Sequence, residues 1–114
     1  MSFPRLGEVY WVQLDPTIGT EIAKTRPAVI ISNDVGNQYS ARVIVAAITS
    51  QHLERRYPFE VLVEAGEGGL AQRSKVLLDQ IRSIDKRRVG RRLGAISPER
   101  MQQVDAAIRL SLAV

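Results

Sequence analysis

The chain has 114 residues, a net charge of +4 and a sequence pI of about 10.0. It contains no cysteine and a single histidine, His52, which excludes a disulfide framework and a thiolate metal site. A carboxylate site would need clustered acidic residues, and no such cluster is visible, so we expect neither a metal nor a cofactor. The basic balance favours a polyanionic partner, either a nucleic acid or an acidic protein, although the same charge could serve solubility alone.

This length suffices for one compact domain, so we expect residues 1–114 to form a single domain. The N-terminal segment MSFPRLGEVY lacks the basic and apolar regions of a signal peptide. The longest apolar run, VIVAAI, is too short to span a bilayer. We therefore expect a cytoplasmic protein that does not contact a membrane.

Three segments in the first half of the chain have the β-branched and aromatic residues typical of strands. The first predicted strand is EVYWVQL at 8–14, and DPTIGTEIAKT at 15–25, with its proline and glycine, predicts a long loop. RPAVIIS at 26–32 and ARVIVAAIT at 41–49 have continuous apolar centres, which predicts two strands buried on both faces. The turn-forming residues between them, NDVGNQYS at 33–40, predict a long hairpin loop.

The second half contains further strand signals and a basic stretch. PFEVLVE at 58–64 alternates between apolar and polar residues, which predicts a strand with one buried face. AGEGG at 65–69 predicts a turn, and SKVLLDQIRSID at 74–85 predicts one or two short strands. KRRVGRRLGAI at 86–96 is basic and broken by glycines, and it could be an RNA track, a solvated face or a docking surface for an acidic partner.

The C-terminal segment predicts a helix. Ser97 is a suitable N-cap and Pro98 suits the first helical position. The apolar residues that follow at spacings of three and four predict one face packed on the sheet; they are Met101, Val104, Ile108 and Leu112. Several short strands with one terminal helix predict a mainly β (α+β) fold, either a small, strongly bent barrel or a sheet.

The second and third strands predict a meeting of two polar residues. If these strands pair as an antiparallel hairpin, Arg26 at the start of one lies beside Thr49 at the end of the other. Pro27 suits the first residues of a strand and favours extended backbone at Arg26. We therefore expect both side chains at one rim, held by rigid strands. The plainer alternative is a solvated charge and a strand-end hydroxyl with a local hydrogen bond.

Five sequence blocks then carry a specific resemblance, and in chain order they are GEVYWV, DPTIGTE, TRPAV, AIT and LLDQI. With these blocks the chain closely resembles the MazF/PemK family of toxin–antitoxin endoribonucleases, from about Arg5 to Leu112. The resemblance implies a small SH3-like barrel of antiparallel strands with a few helices, in a symmetric homodimer. It also implies sequence-specific, metal-independent cleavage of single-stranded RNA, and neutralisation by a cognate antitoxin with an acidic tail.

The resemblance also implies roles for individual residues. The family's catalytic arginine and threonine correspond to Arg26 and Thr49, and its loop glutamate corresponds to Glu21. Gln80 resembles the glutamine near the family's RNA groove. Apart from the resemblance, the charges of Lys24 and Lys75 make them candidate RNA contacts, and so does the place of Asn33 and Ser50, which we expect to flank the catalytic rim.

Metal-independent cleavage would use the 2′-hydroxyl of RNA as the nucleophile and leave a 2′,3′-cyclic phosphate and a 5′-hydroxyl. Arg26 suits the stabilisation of the phosphoryl charge, because its guanidinium is permanently charged and binds two oxygens at once. Thr49 can donate a hydrogen bond to the same phosphate but cannot act as a base. Glu21 is a candidate base, with the alternative that it is a loop carboxylate paired with Lys24 or Arg26.

Two other functions stay open at this point. The same small barrel could bind nucleic acid without cleaving it, or it could be a toxin of related fold that acts on gyrase. The joint presence of an arginine, a threonine and a loop glutamate favours the endoribonuclease.

Overall fold

The computed structural model describes residues 2–114. The strands and helices are, in chain order, β1 (Glu8–Gln13), β2 (Thr25–Ile30), α1 (Asp34–Tyr39), β3 (Arg42–Thr49), β4 (Glu60–Val63), β5 (Ser74–Asp85), β6 (Val89–Ala95) and α2 (Pro98–Leu112). Two short 3₁₀ turns cover Glu67–Gly69 and Lys86–Arg88. Within the described residues, no helix has the length and apolar character needed to cross a membrane.

The strands form one antiparallel sheet with the order β4-β5-β3-β2-β1-β6. β4 and β6 are its edges, and among residues 2–114 they do not pair with each other, so the barrel is open. The predicted mainly β fold with a C-terminal helix is confirmed. No strand or helix was predicted in the basic stretch 86–96, but it contains β6, which pairs with β1 at Val89, Arg92, Gly94 and Ala95.

The predicted hairpin of β2 and β3 is antiparallel, but the connection between the strands contains a helix. Asn33 precedes α1 as its N-cap, and its Oδ1 accepts a hydrogen bond from the Gly36 amide at 2.8 Å. Asn37 is buried and its amide group donates to the Ser32 carbonyl at 2.8 Å. The prediction of a loop at 33–40 is wrong because the same residue types that form turns also cap helices.

Apolar side chains are buried on both faces of the sheet, as the continuous apolar centres of β2 and β3 predict. One cluster lies on the α2 side and includes Val29, Ile48 and Val104. The other lies on the opposite face and includes Ala28 and Ala47. Because successive residues of a strand face opposite sides, both clusters hold β2 and β3 in place.

The helix α2 begins as the sequence predicts. The Ser97 Oγ accepts a hydrogen bond from the Arg100 amide at 3.1 Å, and Pro98 occupies the first turn. Its buried face is centred on Val104 and Ala107, whereas Leu112 is 55% exposed. The predicted apolar face is therefore correct in the middle of the helix and wrong at its last turn.

The 3₁₀ turn Glu67–Gly69 packs against β6 so closely that glycine is required. A Cβ atom on Gly69, where φ is +73°, would lie 1.9 Å from the Leu93 carbonyl oxygen. A Cβ atom on Gly94 would lie 2.6 Å from the Gly68 carbonyl carbon. This contact places the end of the turn beside the cleft described below.

Candidate active site

Arg26 and Thr49 lie opposite each other at one end of the sheet. β2 and β3 pair Ala28 with Ala47, and the same register carried two residues further places Arg26 opposite Thr49. Both residues are partly exposed, and both line the same two clefts. The two residues therefore meet at one rim, as the sequence predicts.

The two clefts adjoin this pair. The first cleft has a volume of about 420 Å³ and is also lined by Trp11, Ser50 and Arg91. The second cleft has a volume of about 280 Å³ and is also lined by Gln51, His52, Lys75 and Gln80. Because Arg26 and Thr49 border both clefts, an extended chain that occupied one cleft and continued into the other would pass across them.

The polar atoms of the pair are only partly used by the protein. The Arg26 Nε donates a hydrogen bond to the Ala23 carbonyl at 3.0 Å. Its two terminal nitrogens make no hydrogen bond or ion pair with residues 2–114. The Thr49 Oγ1 accepts a hydrogen bond from the Gln51 amide at 3.1 Å, which leaves its proton free to be donated. The geometry thus presents a fixed guanidinium fork and a hydroxyl donor to the same space, an arrangement suited to a phosphate.

Two of the predicted RNA contacts lie beside the pair. Ser50 is exposed and lines the first cleft. Gln80 lines the second cleft at a bulge, where the β5 partner of β3 changes from Ile81 to Leu77. Its Oε1 accepts a hydrogen bond from the Ile22 amide at 3.4 Å. The side-chain amino group of Gln80 can therefore donate to a ligand.

The loop before β2 places Glu21 and Lys24 outside both clefts. The Glu21 Oε1 accepts a hydrogen bond from the Ile18 amide at 2.6 Å, and the Glu21 amide donates to the Ile18 carbonyl at 3.2 Å. The carboxylate therefore closes a turn of its own loop, and it forms an ion pair with neither Lys24 nor Arg26. Lys24 has left-handed backbone, with φ at 69°, and its amide donates to the Asp15 Oδ1 at 3.0 Å.

Asn33 does not flank the rim, and that expectation is wrong. It follows the end of β2, whereas Arg26 lies at the start of the same strand. At the usual rise of a strand, this separation is about 20 Å. The side chain of Asn33 instead caps α1 through the Gly36 amide.

Lys75 lies near the rim but has no donor to offer to RNA. It is the pairing partner of Thr49 on β5 and it lines the second cleft, yet only 5% of the residue is exposed. The three hydrogens of its ammonium are bonded to the His52 carbonyl, the Arg55 carbonyl and Glu60. Every donor of the Lys75 ammonium thus has a protein partner, so the direct RNA contact that the sequence suggested would require these bonds to break.

Two further residues line the first cleft: Trp11, which the sequence did not single out, and Arg91, which belongs to the basic stretch that could be an RNA track. Trp11 pairs with Pro27 across β1 and β2, and Arg91 is an exposed residue of β6. Both line the first cleft with Arg26, and they supply the flat groups on which unpaired bases stack. The position of Arg91 depends on the pairing of β6 with β1, whereas Trp11 lies in a strand that the sequence predicts.

Three arginines of the basic stretch are bonded to other parts of the protein. Arg87 is paired with Asp85 at 3.0 Å, and Arg88 donates to the Gln13 carbonyl at 3.2 Å. Arg92 donates to the Glu8 Oε2 at 2.6 Å. Arg91 makes no hydrogen bond or ion pair with the part of the chain that the structure describes, and it is the member of the stretch that borders the cleft.

Glu8, Tyr10 and Arg92 form a hydrogen-bonded group that connects β1 to β6. The Tyr10 hydroxyl donates to the Glu8 Oε1 at 2.9 Å. Burial opposes the ionisation of Glu8, but hydrogen bonds from Arg92, the Arg5 amide and Tyr10 outweigh it and lower the pKa of the carboxyl. Burial, followed by the bond to Glu8, raises the pKa of Tyr10 to about 12.

An open antiparallel sheet with an arginine and a threonine at a two-sided cleft defines a small protein suited to binding an extended anion. Residues 5–112 match the model of the PemK-like, MazF-like toxins of type II toxin–antitoxin systems. The chain therefore belongs to this family, as its sequence blocks predict. Among the described residues, no three histidine or carboxylate side chains are grouped as a metal site requires.

Similar proteins agree with this assignment. The chain is 41% identical over 108 residues to the endoribonuclease EndoA of Bacillus subtilis (strain 168), covering 95% of this chain and 93% of EndoA. It is similar to the crystal structure of MazF from Deinococcus radiodurans, with a TM-score of 0.86, 27% identity and full coverage of both chains. It is also similar to a mycobacterial endoribonuclease in complex with its cognate antitoxin, with a TM-score of 0.81, 25% identity and coverage of 97% and 96%.

Proposed function

We propose that this chain is an endoribonuclease toxin of a toxin–antitoxin pair, an mRNA interferase that cleaves single-stranded RNA at short sequence motifs without a metal ion. The observation that carries the proposal is the position of Arg26 and Thr49 between two adjoining clefts, with the terminal nitrogens of Arg26 unbonded by residues 2–114. The family, and the activity named for the Bacillus relative, support RNA as the anion that is bound.

Attack of the 2′-hydroxyl oxygen on the adjacent phosphorus forms the cyclic phosphate and breaks the bond from phosphorus to the 5′-oxygen. The 2′-hydroxyl loses its proton and the departing 5′-oxygen gains one, so the products are a 2′,3′-cyclic phosphate and a 5′-hydroxyl. Arg26 binds the two non-bridging phosphate oxygens and stabilises the charge that grows on them. A preorganised donor of this kind contributes roughly 3–4 kcal/mol to lowering the barrier. Thr49 donates its hydroxyl proton in a hydrogen bond to the same phosphate.

The RNA strand occupies both clefts, so that the nucleotides on either side of the reacting phosphate bind on different sides of the pair. Gln80 and Ser50 offer polar groups to base edges, one in each cleft. Trp11 and Arg91 offer stacking surfaces in the first cleft. Glu21 and Lys24 act through the loop 14–24, which precedes Arg26, and Glu21 serves to hold that loop together.

The partners follow from the family. We propose a homodimer in the cytoplasm that is neutralised by a cognate antitoxin with an acidic segment, residues 1–114 forming one toxin domain. Large apolar side chains are exposed on α1, where Val35 and Tyr39 are 71% and 79% exposed, and on α2, at Leu110 and Leu112. Such side chains are the ones that subunit or antitoxin contacts cover.

A cleavage assay in EDTA tests the function. Purified protein is incubated with a mixed-sequence single-stranded RNA, and the fragments are sequenced and their 3′ ends analysed. We expect cuts at one short motif, each leaving a 2′,3′-cyclic phosphate. Binding without cleavage would favour a nucleic-acid-binding module, and inhibition of gyrase supercoiling without RNA cleavage would favour a gyrase-directed toxin.

A further inference from the structure

The connection from β3 to β4, residues 50–59, crosses over a strand, and we call it the crossover loop. In the sheet, β5 lies between β3 and β4, so the crossover loop passes across the end of β5. Lys75 is the second residue of β5, and it pairs with Thr49 on one side and with Leu62 on the other. Its side chain thus originates between the two strands that the crossover loop joins.

The Lys75 ammonium is bonded to the crossover loop and to the first residue of β4. Its Nζ donates to the His52 carbonyl at 3.0 Å, the Arg55 carbonyl at 2.6 Å and the Glu60 Oε1 at 3.0 Å. The side chains of Lys75 and Glu60 are each only 6% exposed. The Glu60 Oε1 also accepts a hydrogen bond from the Tyr57 amide at 3.0 Å. A buried ammonium is costly unless its hydrogens have partners, so opening of the crossover loop, which supplies two of the three acceptors, would leave this charge with Glu60 alone.

The backbone of the crossover loop needs such support at one position. His52 has a φ of 56°, which lies in the left-handed region that residues other than glycine rarely occupy. Its carbonyl is one of the oxygens that Lys75 binds. His52 and its neighbour Gln51 line the second cleft beside Arg26 and Thr49. The bond from Lys75 therefore fixes a strained residue at the wall of the cleft.

We propose that Lys75, paired with Glu60, is a positioning residue that holds the crossover loop in the conformation that forms the wall of the second cleft. Lys75 does not contact RNA, and it acts through Gln51 and His52. The part of this inference that concerns RNA rests on the proposed function. Because buried apolar residues such as Ala28 and Ala47 anchor β2 and β3 without the Lys75 side chain, its replacement raises KM and relaxes the choice of cleavage motif more than it lowers kcat.

Limited proteolysis tests the positioning without reference to RNA. Arg55 and Arg56 are the trypsin sites of the crossover loop, and we expect Lys75→Met to be cut there roughly tenfold faster than the wild type. The matched control is Lys86→Met, the same change just beyond the other end of β5, which should be cut at the wild-type rate. Equal rates of cleavage at Arg55 and Arg56 in Lys75→Met and the wild type would overturn the inference. It would also be overturned if cleavage at Arg91 on β6 were accelerated as much as cleavage in the crossover loop, because that result indicates global unfolding.

A double variant removes the risk that an unpaired Glu60 prevents folding. Lys75→Met combined with Glu60→Gln removes both buried charges and keeps a side-chain oxygen at residue 60 that accepts the hydrogen bond from the Tyr57 amide. We expect this double variant to fold and still to be cut rapidly at Arg55 and Arg56. If the double variant resisted trypsin as well as the wild type does, the inference would be contradicted. In RNA cleavage, both variants should show a KM raised several-fold and a smaller change in kcat. Fast proteolysis with an unchanged KM would overturn the link to RNA binding, whereas a wild type that cleaves no RNA would count against the proposed function.

Discussion

The guanidinium of Arg26 and the hydroxyl of Thr49 come from two neighbouring strands, and both side chains border the two clefts that adjoin at this end of the sheet. Buried alanines two residues away, Ala28 and Ala47, hold the strands beneath them. The polar groups are thus placed by the core of the protein, and substitutions at either position should alter function without altering the fold.

Two replacements of Arg26 separate the effect of its positive charge from the effect of its planar guanidinium group. We expect Arg26→Ala to lower kcat by roughly 10²–10³-fold, because it removes the donors for the phosphoryl oxygens. Arg26→Lys keeps a positive charge but loses the planar fork, so it should recover only part of that loss. Thermal unfolding should stay close to that of the wild type, and Arg73→Ala, on an exposed residue paired with Glu64, should cleave RNA normally. Full activity of Arg26→Ala would remove this residue from the mechanism.

Replacement of Thr49 tests its hydroxyl. Thr49→Val has nearly the same shape but no proton to donate, and we expect a loss of roughly tenfold or more in kcat. Thr49→Ser keeps the hydroxyl and should retain most of the activity. Single-turnover cleavage of one RNA oligonucleotide by the three proteins provides the comparison, and equal rates for Thr49→Val and the wild type would exclude the hydroxyl from the reaction.

The role of Glu21 can be resolved by two substitutions. Glu21→Gln retains an oxygen that accepts the bond from the Ile18 amide, so the loop should keep its conformation and the acid limb of the pH–rate profile should not change. Glu21→Ala removes that acceptor and should raise KM through disorder of the loop. Loss of the acid limb in Glu21→Gln would show instead that the carboxylate is the general base.

The hydrogen-bonded group on β1 and β6 predicts a stability effect at high pH. Because the folded-state pKa of Tyr10 is raised from 10.0 to about 12, its contribution to stability is complete below about pH 10 and is lost as the pH rises through 12. Tyr10→Phe should therefore be less stable than the wild type at neutral pH, and the difference should shrink above pH 10. Thermal unfolding as a function of pH measures this difference. A difference that stays constant across this range would contradict the coupling.

The sequence predicts those features that depend on neighbouring residues. The apolar centres of β2 and β3 predict two buried strands, and Pro27 predicts where the first of them begins. Together these features are sufficient to predict that Arg26 lies beside Thr49. The cap at Ser97 predicts the start of α2 for the same reason.

The features that the sequence did not predict depend on contacts between distant residues. Lys75 has the residue type of an RNA contact, and only the passage of the crossover loop over β5 buries its ammonium. Asn33 suits a turn and a helix cap equally well, and the backbone of α1 decides between them. Arg91 became a cleft residue only through the pairing of β6 with β1, which has two irregularities in register and hence a weak sequence signal.

The most direct test of the central claim uses an RNA oligonucleotide that contains the mapped cleavage motif, with a single 2′-deoxynucleotide on the 5′ side of the cut. Cleavage is followed in EDTA under single-turnover conditions, beside the all-ribose oligonucleotide. We expect the deoxy-substituted bond to resist cleavage while binding is retained, because Arg26 and Thr49 stabilise a phosphate that only the neighbouring 2′-hydroxyl attacks. Cleavage of that bond at a comparable rate would contradict the account.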